Sequence, residues 1–260
     1  SGAVPYGSKL LLHADSMPGP GIYEMSIDSG KTWKASECMA ISSKTEVWGR
    51  TRYKNIISQV TKASYSIFYE RVVIVGNSIT LHGPLPEKGW NGSWGMAASA
   101  ADKDYVHLIS AKLKKLNPNV DIRLLIAVDF EQDYRNYDFT KIKPYAEFGP
   151  DLVIMRIAEN TNRGMINDYE NRYDKFITEL TAKNTAHKVI CSTAFWSPSE
   201  DATWRIINVA RNKGYALADL TPLWKDKSYS AVSFFPNPDI GSHPSDKGMQ
   251  KIADLISAHF

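Results

Sequence analysis

Residues 72–80 decide the fold, and they read VVIVGNSIT. The first four are apolar and all β-branched, which is typical of a strand buried on both faces of a sheet. Gly76 and Asn77 end this run, and Ser78 then stands at the tip of a turn. A serine in this place is either a helix cap or an exposed, reactive hydroxyl. We expect a helix to follow it and to direct backbone N–H groups towards this position.

The chain after Arg71 alternates between apolar runs and segments with helical periodicity. We predict strands over residues 72–75, 122–128, 152–157, 187–193 and 215–220. Apolar residues recur every three or four positions over 105–116, 169–180 and 249–256, which predicts amphipathic helices. Such alternation indicates an α/β domain with helices on both faces of a mostly parallel sheet. Ligands bind such domains at the carboxyl ends of the strands, where Ser78 lies.

Residues 1–69 differ from the rest because they show short alternating runs without a helical period. These runs lie at 9–13, 23–27, 46–53, 56–61 and 65–69, and they predict a small β-sandwich of fibronectin III-like or immunoglobulin-like type. Residues 26–33, SIDSGKTW, resemble the Asp-box of secreted β-proteins, and we interpret them as a structural hairpin. We therefore expect two domains, a β-module over 1–69 and an α/β domain over 70–260.

The composition excludes several classes of protein. The 260 residues carry 31 Lys and Arg against 28 Asp and Glu, a formal charge of +3. Nucleic acids and anionic membranes need clustered basic residues, so we expect no nucleic-acid partner. The apolar runs are far shorter than the roughly 18 residues of a transmembrane helix, so we expect no membrane insertion. The two cysteines and six histidines show no disulfide framework or ligand spacing, so we predict no metal and no other cofactor.

A histidine near the C-terminus is the second candidate functional residue. His243 is followed by Pro244 and Ser245, and Ser245 is placed to cap the last predicted helix. The proline stiffens the entry to this helix, so His243 is held in a loop at the rim of the sheet. A histidine there is able to accept the proton of a nucleophile presented from another strand end.

Three blocks in the chain resemble those of the SGNH (GDSL-like) hydrolases, a family of esterases, lipases and carbohydrate deacetylases. Residues 76–79, GNSI, resemble the G-D-S-(L/I) block, and residues 158–160, AEN, resemble the G-x-N block. The segment around 243–244, HP, resembles the D-x-x-H-P block. The resemblance covers about residues 71–260 and implies a three-layer α/β/α, flavodoxin-like domain.

The resemblance also implies roles for individual residues. Ser78 is the implied nucleophile, Asn160 an oxyanion-hole side chain and His243 the general base. The family places an Asp three residues before the His, but Ile240 stands there and Asp239 stands one residue earlier. We name Asp239 as the candidate acid. Glu131, Glu159 or a backbone carbonyl are the alternatives for orienting His243.

Three blocks, two of them named above, depart from the family pattern. Asn77 replaces the usual Asp, and Ala158 replaces Gly; we expect both changes to leave the chemistry intact. The family's second block supplies a Gly whose N–H joins the oxyanion hole, whereas residues 128–132, VDFEQ, contain no Gly. A backbone N–H of Phe130 or Glu131 is our candidate for this donor.

These residues predict a serine esterase that works through an acyl-enzyme intermediate. The chain has seven Trp, and we single out Trp94 and Trp196 in rim loops as candidates for stacking on a sugar; packing under the loops is the other interpretation. We expect an acetyl or other small-acyl ester on a glycan or small molecule. A non-catalytic carbohydrate-binding protein, an acyltransferase or a lipase is the alternative.

The predicted pairing of a β-module with an esterase domain also bears on localisation. This pairing is common in secreted enzymes that act on carbohydrates. We therefore expect a secreted or periplasmic protein, whose leader is not part of this chain. The sequence leaves the oligomeric state open.

Overall fold

A computed structural model describes residues 1–15 and 19–260. The chain divides into two compact units, one of residues 1–70 and 115–119 and the other of residues 71–114 and 120–260. No helix in the described residues is long and apolar enough to cross a membrane.

In the described part of residues 1–70, the regular secondary structure consists of β-strands. The strands are β1 (Gly2–Val4), β2 (Ser8–Leu11), β3 (Ile22–Ser26), β4 (Lys34–Ala35), β5 (Cys38–Ile41), β6 (Thr45–Tyr53), β7 (Ile56–Ile57) and β8 (Thr61–Ile67). One sheet has the order β1-β8-β6-β3-β4, with β7 paired to β6, and a second sheet pairs β2 with β5. Met25, Val47 and Ile67 of the first sheet share a small core with Ile41 of the second.

The predicted hairpin at residues 26–33 is confirmed. Strands β3 and β4 are antiparallel, with Met25 opposite Lys34. The Asp28 carboxylate accepts hydrogen bonds from the N–H of Thr32 at 2.9 Å and from its hydroxyl at 2.6 Å. The Gly30 N–H donates to Ser26 Oγ at 2.9 Å. Side chains of the turn itself therefore satisfy its polar groups, as a structural hairpin requires.

The second unit contains a parallel sheet of five strands in the described residues. These are β9 (Arg71–Gly76), β10 (Asp121–Ile126), β11 (Leu152–Met155), β12 (Lys188–Ser192) and β13 (Ala216–Ala218). Their order is β10-β9-β11-β12-β13, and every neighbouring pair is parallel. In chain order this is the 2-1-3-4-5 arrangement of flavodoxin-like folds. The predicted α/β class with a parallel sheet is confirmed.

Helices cover both faces of this sheet. The α-helices of the described residues are α1 (Tyr105–Leu116), α2 (Val128–Gln132), α3 (Lys143–Phe148), α4 (Tyr169–Thr181), α5 (Glu200–Lys213), α6 (Pro238–Gly241) and α7 (Asp246–Ser257). Phe176 of α4 and Ile206 of α5 share a core with Val73 of β9. Side chains alternate along a strand, so Val72 and Ile74 face the other side, where they are fully buried. The long helices that remain to cover that side are α1 and α7.

One predicted strand differs from the structure, and one helix of the structure was not predicted. The strand expected over 122–128 ends at Ile126, and α2 begins at Val128. Strand β10 lies at the edge of the sheet with Asp121 and Ile126 exposed, so it is not buried on both faces. Helix α5 was not predicted, because its buried positions include the small Ala202 and the polar Thr203, which weaken the apolar period.

Gly76 ends β9 at a point where the backbone passes very close to Thr80. A Cβ at Gly76 would lie 1.7 Å from Thr80 Oγ1. Thr80 is buried, and its hydroxyl is hydrogen-bonded to the Tyr105 hydroxyl at 2.6 Å. Thr80 therefore cannot move aside without losing this bond, and only glycine fits at residue 76.

We predict that Gly76→Ala lowers the free energy of unfolding by about 1–3 kcal/mol, the usual cost of overpacking. Urea denaturation measures this quantity. Gly83→Ala is the control, because a Cβ at Gly83 meets no atom within 4 Å. Equal stability of the two variants would contradict the steric argument.

Candidate active site

Ser78 lies in a tight turn at the carboxyl edge of the sheet. The Asn77 carbonyl accepts hydrogen bonds from the N–H groups of Thr80 at 2.9 Å and Leu81 at 3.1 Å. Asn77 Oδ1 accepts from the Ile79 N–H at 3.1 Å. The next α-helix begins only at Tyr105. The expected helix directly after Ser78 is therefore absent from these described residues, because Asn77 closes a turn there instead.

His243 reaches Ser78 from the loop between α6 and α7. Its Nε2 lies 2.8 Å from Ser78 Oγ. The His243 carbonyl accepts from the Ala231 N–H at 2.8 Å, and its own N–H donates to the Ile240 carbonyl at 3.0 Å. Ser245 caps α7 as predicted, by accepting from the Gly248 N–H. The structure thus brings together the two residues that the sequence proposed as nucleophile and base.

The surroundings of His243 determine its protonation state. Burial lowers the pKa of His243 to about 4, so its imidazole is neutral at neutral pH. The Trp196 ring packs edge-on against it, with 5.2 Å between ring centroids. Its Nδ1 makes no hydrogen bond of normal geometry with the described residues. The carboxylate of Glu159 and the backbone of Asp239 nevertheless raise the pKa and oppose the effect of burial.

The Asp239 carboxylate does not contact His243. Asp239 Oδ2 accepts a hydrogen bond from Lys88 Nζ at 2.8 Å, and its side chain is 62% exposed. Asp239 lies in the first turn of α6, where Asn237 caps the helix by accepting from the Asp239 N–H. Its side chain points to solvent, which corrects the expectation that this carboxylate orients the histidine. Of the alternatives, the Asp239 backbone and Glu159 remain.

Asn160 follows β11 and contacts a buried glutamate. Its Nδ2 donates to Glu131 Oε2 at 2.8 Å, and its backbone N–H lies 3.3 Å from Glu131 Oε1. A side-chain amide has two N–H groups, so the second is available to a substrate oxygen. Asn77 donates to Glu159 at 2.7 Å, which places the segment of Asn160 beside that of Ser78. The Ser78 N–H has no acceptor among the described residues and is a second available donor.

The predicted backbone donors in the second block are wrong. The Phe130 N–H donates to the Asp129 carboxylate at 3.0 Å, and the Glu131 N–H donates to the Ala127 carbonyl at 3.1 Å. Both N–H groups lie within α2, which uses them internally. Glu131 meets the site through its side chain, which accepts hydrogen bonds from Asn77 and Asn160.

The two tryptophans singled out from the sequence lie in different surroundings. Trp94 packs edge-on against Trp90 at 5.6 Å, and its Nε1 donates to the Ala98 carbonyl at 2.9 Å. Trp94 therefore belongs to a local core, which corrects its assignment to substrate binding. Trp196 lies beside His243 and, together with Trp224, lines a cavity of about 350 Å³.

Sequence reasoning missed one buried cation. Arg156 is fully buried, and its Nη1 pairs with Glu159 at 2.8 Å. The signal was present in the sequence, because Arg156 directly follows the apolar run 152–155 within the strand predicted over 152–157. Buried charges are normally paired, so Arg156 called for an acidic partner. In the described residues, no cluster of three or more His, Cys, Asp or Glu is arranged to hold a metal ion.

Comparison with known proteins shows a likeness of fold. No protein-family model and no curated protein matches the chain. One similar structure is a carbohydrate esterase whose active site is described as displaying divergent catalytic and non-catalytic binding functions. Its TM-score is 0.50 at 13% identity, over 99% of this chain and 90% of that chain. At this identity the likeness establishes a shared fold.

Two further structures are similar to this chain. One is a carbohydrate esterase family 2 enzyme with a carbohydrate-binding domain from Corynascus thermopiles (Myceliophthora fergusii), with a TM-score of 0.49 at 13% identity over 99% of this chain and 93% of that chain. The other is a two-domain esterase active on acetylated mannans, with a TM-score of 0.47 at 17% identity over 72% of this chain. This chain matches 48% of that esterase, about half its length.

We predict that Asp239→Asn retains the reactivity of Ser78 towards a fluorophosphonate probe within about threefold, because an exposed ion pair contributes little. His243→Ala, by contrast, should abolish rapid labelling. Labelling rates of both variants and the wild type test this. A loss in Asp239→Asn as large as that in His243→Ala would show that the carboxylate does orient the histidine.

Proposed function

We propose that this chain is a serine ester hydrolase that removes a small acyl group, such as acetyl, from a carbohydrate. The proposal rests on the contact of 2.8 Å between Ser78 Oγ and His243 Nε2. This pair lies at the carboxyl edge of a parallel sheet, where α/β folds bind their ligands. The fold shared with a carbohydrate esterase supports this class of substrate.

The proposed reaction follows from these positions. Neutral His243 takes the proton of Ser78, and Oγ attacks the ester carbonyl. The Ser78 N–H and the second amide N–H of Asn160 donate to the oxyanion of the tetrahedral intermediate. His243 then gives its proton to the departing alcohol, which leaves an acyl-enzyme. Water, deprotonated by His243, attacks this ester, and the carboxylic acid leaves as Ser78 regains its proton.

The histidine works in this proposal without a carboxylate bonded to its ring. The backbone of Asp239 and the charge of Glu159 favour the imidazolium that forms during the reaction. The lowered pKa keeps His243 in its basic form at neutral pH, but it also weakens the drive to accept a proton. We therefore propose a Ser-His dyad in place of the triad expected from the sequence.

Trp196 supports a carbohydrate as the alcohol part of the ester. Its ring lies beside His243, and the cavity of about 350 Å³ next to it is also lined by Asp226 and Lys227. This volume falls within the range of about 300–1,000 Å³ typical of small-molecule sites. An aromatic wall with polar groups around it suits a sugar ring, which presents both an apolar face and hydroxyls.

We also propose that residues 1–69 form a separate β-module and that the protein is secreted or periplasmic. Two sheets that share one small core support a sandwich-like module. Residues 70–260 then form the catalytic domain.

We predict that a fluorophosphonate probe labels the wild type and not Ser78→Ala. Ser43→Ala is the control, since Ser43 is exposed and lies outside the α/β unit. Release of acetate from an acetylated oligosaccharide tests hydrolysis directly. A wild type that neither labels nor releases acetate would favour the non-catalytic carbohydrate-binding protein. Product that forms only when an acceptor alcohol is added would identify an acyltransferase.

We predict that Asn160→Ala lowers kcat by a factor on the order of 10²–10³, the usual cost of one oxyanion donor, with little change in KM. Steady-state kinetics on an acetyl ester measures both quantities. Asn136→Ala is the control, because the Asn136 side chain bonds to the exposed Asp133 and to no other described residue. An unchanged kcat in Asn160→Ala would remove Asn160 from the oxyanion hole.

A further inference from the structure

Two buried carboxylates lie behind Ser78, and the proposed reaction uses neither as an acid or base. Glu131 is fully buried, and the side chain of Glu159 is 1% exposed. The described residues provide them with one buried cation, Arg156, which pairs with Glu159. Burying charge is costly unless hydrogen bonds compensate it, so the donors around these carboxylates show what holds them.

Among the described residues, the hydrogen bonds to the Glu131 carboxylate come from Asn77, which precedes Ser78, and from Asn160, the proposed oxyanion donor. Asn160 donates through Nδ2 at 2.8 Å and through its backbone N–H at 3.3 Å. Asn77 Nδ2 lies 3.2 Å from Oε1 and 3.3 Å from Oε2. In its ionised form the Glu131 carboxylate only accepts, and this form fixes which end of the Asn160 amide faces it. The Asn160 carbonyl is thereby kept away from Glu131, and the amide NH₂ is held in one place.

Glu159 joins three loops at the same edge of the sheet. It accepts from Asn77 Nδ2 at 2.7 Å after β9, from Arg156 Nη1 at 2.8 Å after β11, and from the Phe195 N–H at 2.7 Å after β12. The Asn77 amide therefore lies between two carboxylates and donates to both. An Asp at residue 77, as in the resembling family, would place a third carboxylate here.

We infer that Glu131 is a positioning residue that orients the Asn160 amide, and that Asn77 holds Glu131 and Glu159 in place as the neutral donor between them. The inference rests on the proposed function for its effect on kcat. The inference explains why an Asn stands at residue 77, because its amide supplies the N–H groups that the two neighbouring carboxylates need. Burial and the charge of Glu159 raise the pKa of Glu131 to about 7, whereas Arg156 lowers the pKa of Glu159.

The first test is Glu131→Gln. Its amide NH₂ would face the donors of Asn77 or Asn160, so the Asn160 amide would lose its fixed orientation. We expect kcat to fall between about 10-fold and 100-fold with little change in KM, less than for removing Asn160 itself. Glu147→Gln is the matched control, because Glu147 is an exposed carboxylate paired with Lys183.

A double-mutant cycle separates positioning from general stabilisation. If Glu131 acts through Asn160, Glu131→Gln should lower kcat by less than about threefold in the Asn160→Ala background, because coupled residues are not additive. The same factor in both backgrounds would overturn the role assigned to Glu131.

Asn77→Asp tests the neutral donor without any assay of activity. The new carboxyl would lie against Glu131 and Glu159. The charged and titratable groups that interact with these two carboxylates are Arg156, Tyr105, Tyr169 and His243. Two adjacent carboxylates would raise its pKa, so the protonated form would be the stable one. The stability loss relative to wild type should therefore be small at pH 5 and should grow as the pH rises to 8.

Asn136→Asp is the matched control, because Asn136 Nδ2 also contacts a carboxylate, that of Asp133 at 3.1 Å, but at the surface. Thermal unfolding at pH 5 and pH 8 measures both variants. An equal, pH-independent effect of the two substitutions on stability would overturn the role of Asn77.

If the wild type neither labels nor hydrolyses esters, the proposed function fails, yet this stability test still decides the role of Asn77. If the wild type is active and the kinetic cycle is additive, the role of Glu131 fails and the proposed function stands.

Discussion

The parallel pairing of β9 with β11 decides where the candidate site lies. Their register runs from Val72 opposite Leu152 to Val75 opposite Met155, and the Arg156 N–H extends it by donating to the Val75 carbonyl at 2.8 Å. Both strands therefore end at the same edge. The strand order reverses here, since β10 lies on the other side of β9, so the loops that follow diverge and leave a crevice. Ser78 and Asn160 lie on the two loops that border this crevice. A slip of one residue in the pairing of β9 with β11 would turn every side chain of the slipped strand to the opposite face of the sheet.

The polar groups beneath this crevice weaken the fold while they order the site. Glu131, Glu159 and Arg156 are removed from water, and Arg156 Nε and Nη2 have no partner among the described residues. A buried ion pair of this kind often contributes less stability than apolar residues of the same volume. What the buried groups contribute instead is the orientation of the loops, because the two carboxylates together accept hydrogen bonds from donors on three different loops. The loops after β9, β11 and β12 are thereby held together at the atoms that border Ser78.

Local patterns in the sequence predicted part of this arrangement, and three-dimensional context decided the rest. Ser78 and His243 could be predicted from the sequence. Ser78 comes shortly after a strand and His243 shortly before a helix, and both elements are identified by their periodicity. The position of the Asp239 carboxylate could not be predicted, because spacing along a loop does not define where a side chain points. In the structure, the short helix α6 directs this carboxylate towards Lys88. Trp94 was assigned to the site because a high content of tryptophan does not distinguish a ring in a local core from one in a crevice. The contacts of Glu131 join α2 to the loops after β9 and β11, which are distant from it in sequence, so no local pattern predicts them.

The low pKa of His243 fits a base that becomes strong only when substrate is bound. In the resting site burial dominates, and the imidazole remains neutral although Glu159 and the Asp239 backbone favour its charged form. In the proposed reaction, proton transfer to His243 occurs as negative charge develops on the ester oxygen. That charge forms beside the buried ring of His243, where attraction between charges is stronger than in solution. The substrate therefore supplies much of the stabilisation that an aspartate would supply permanently, and this explains physically why the Asp239 carboxylate can remain at the surface.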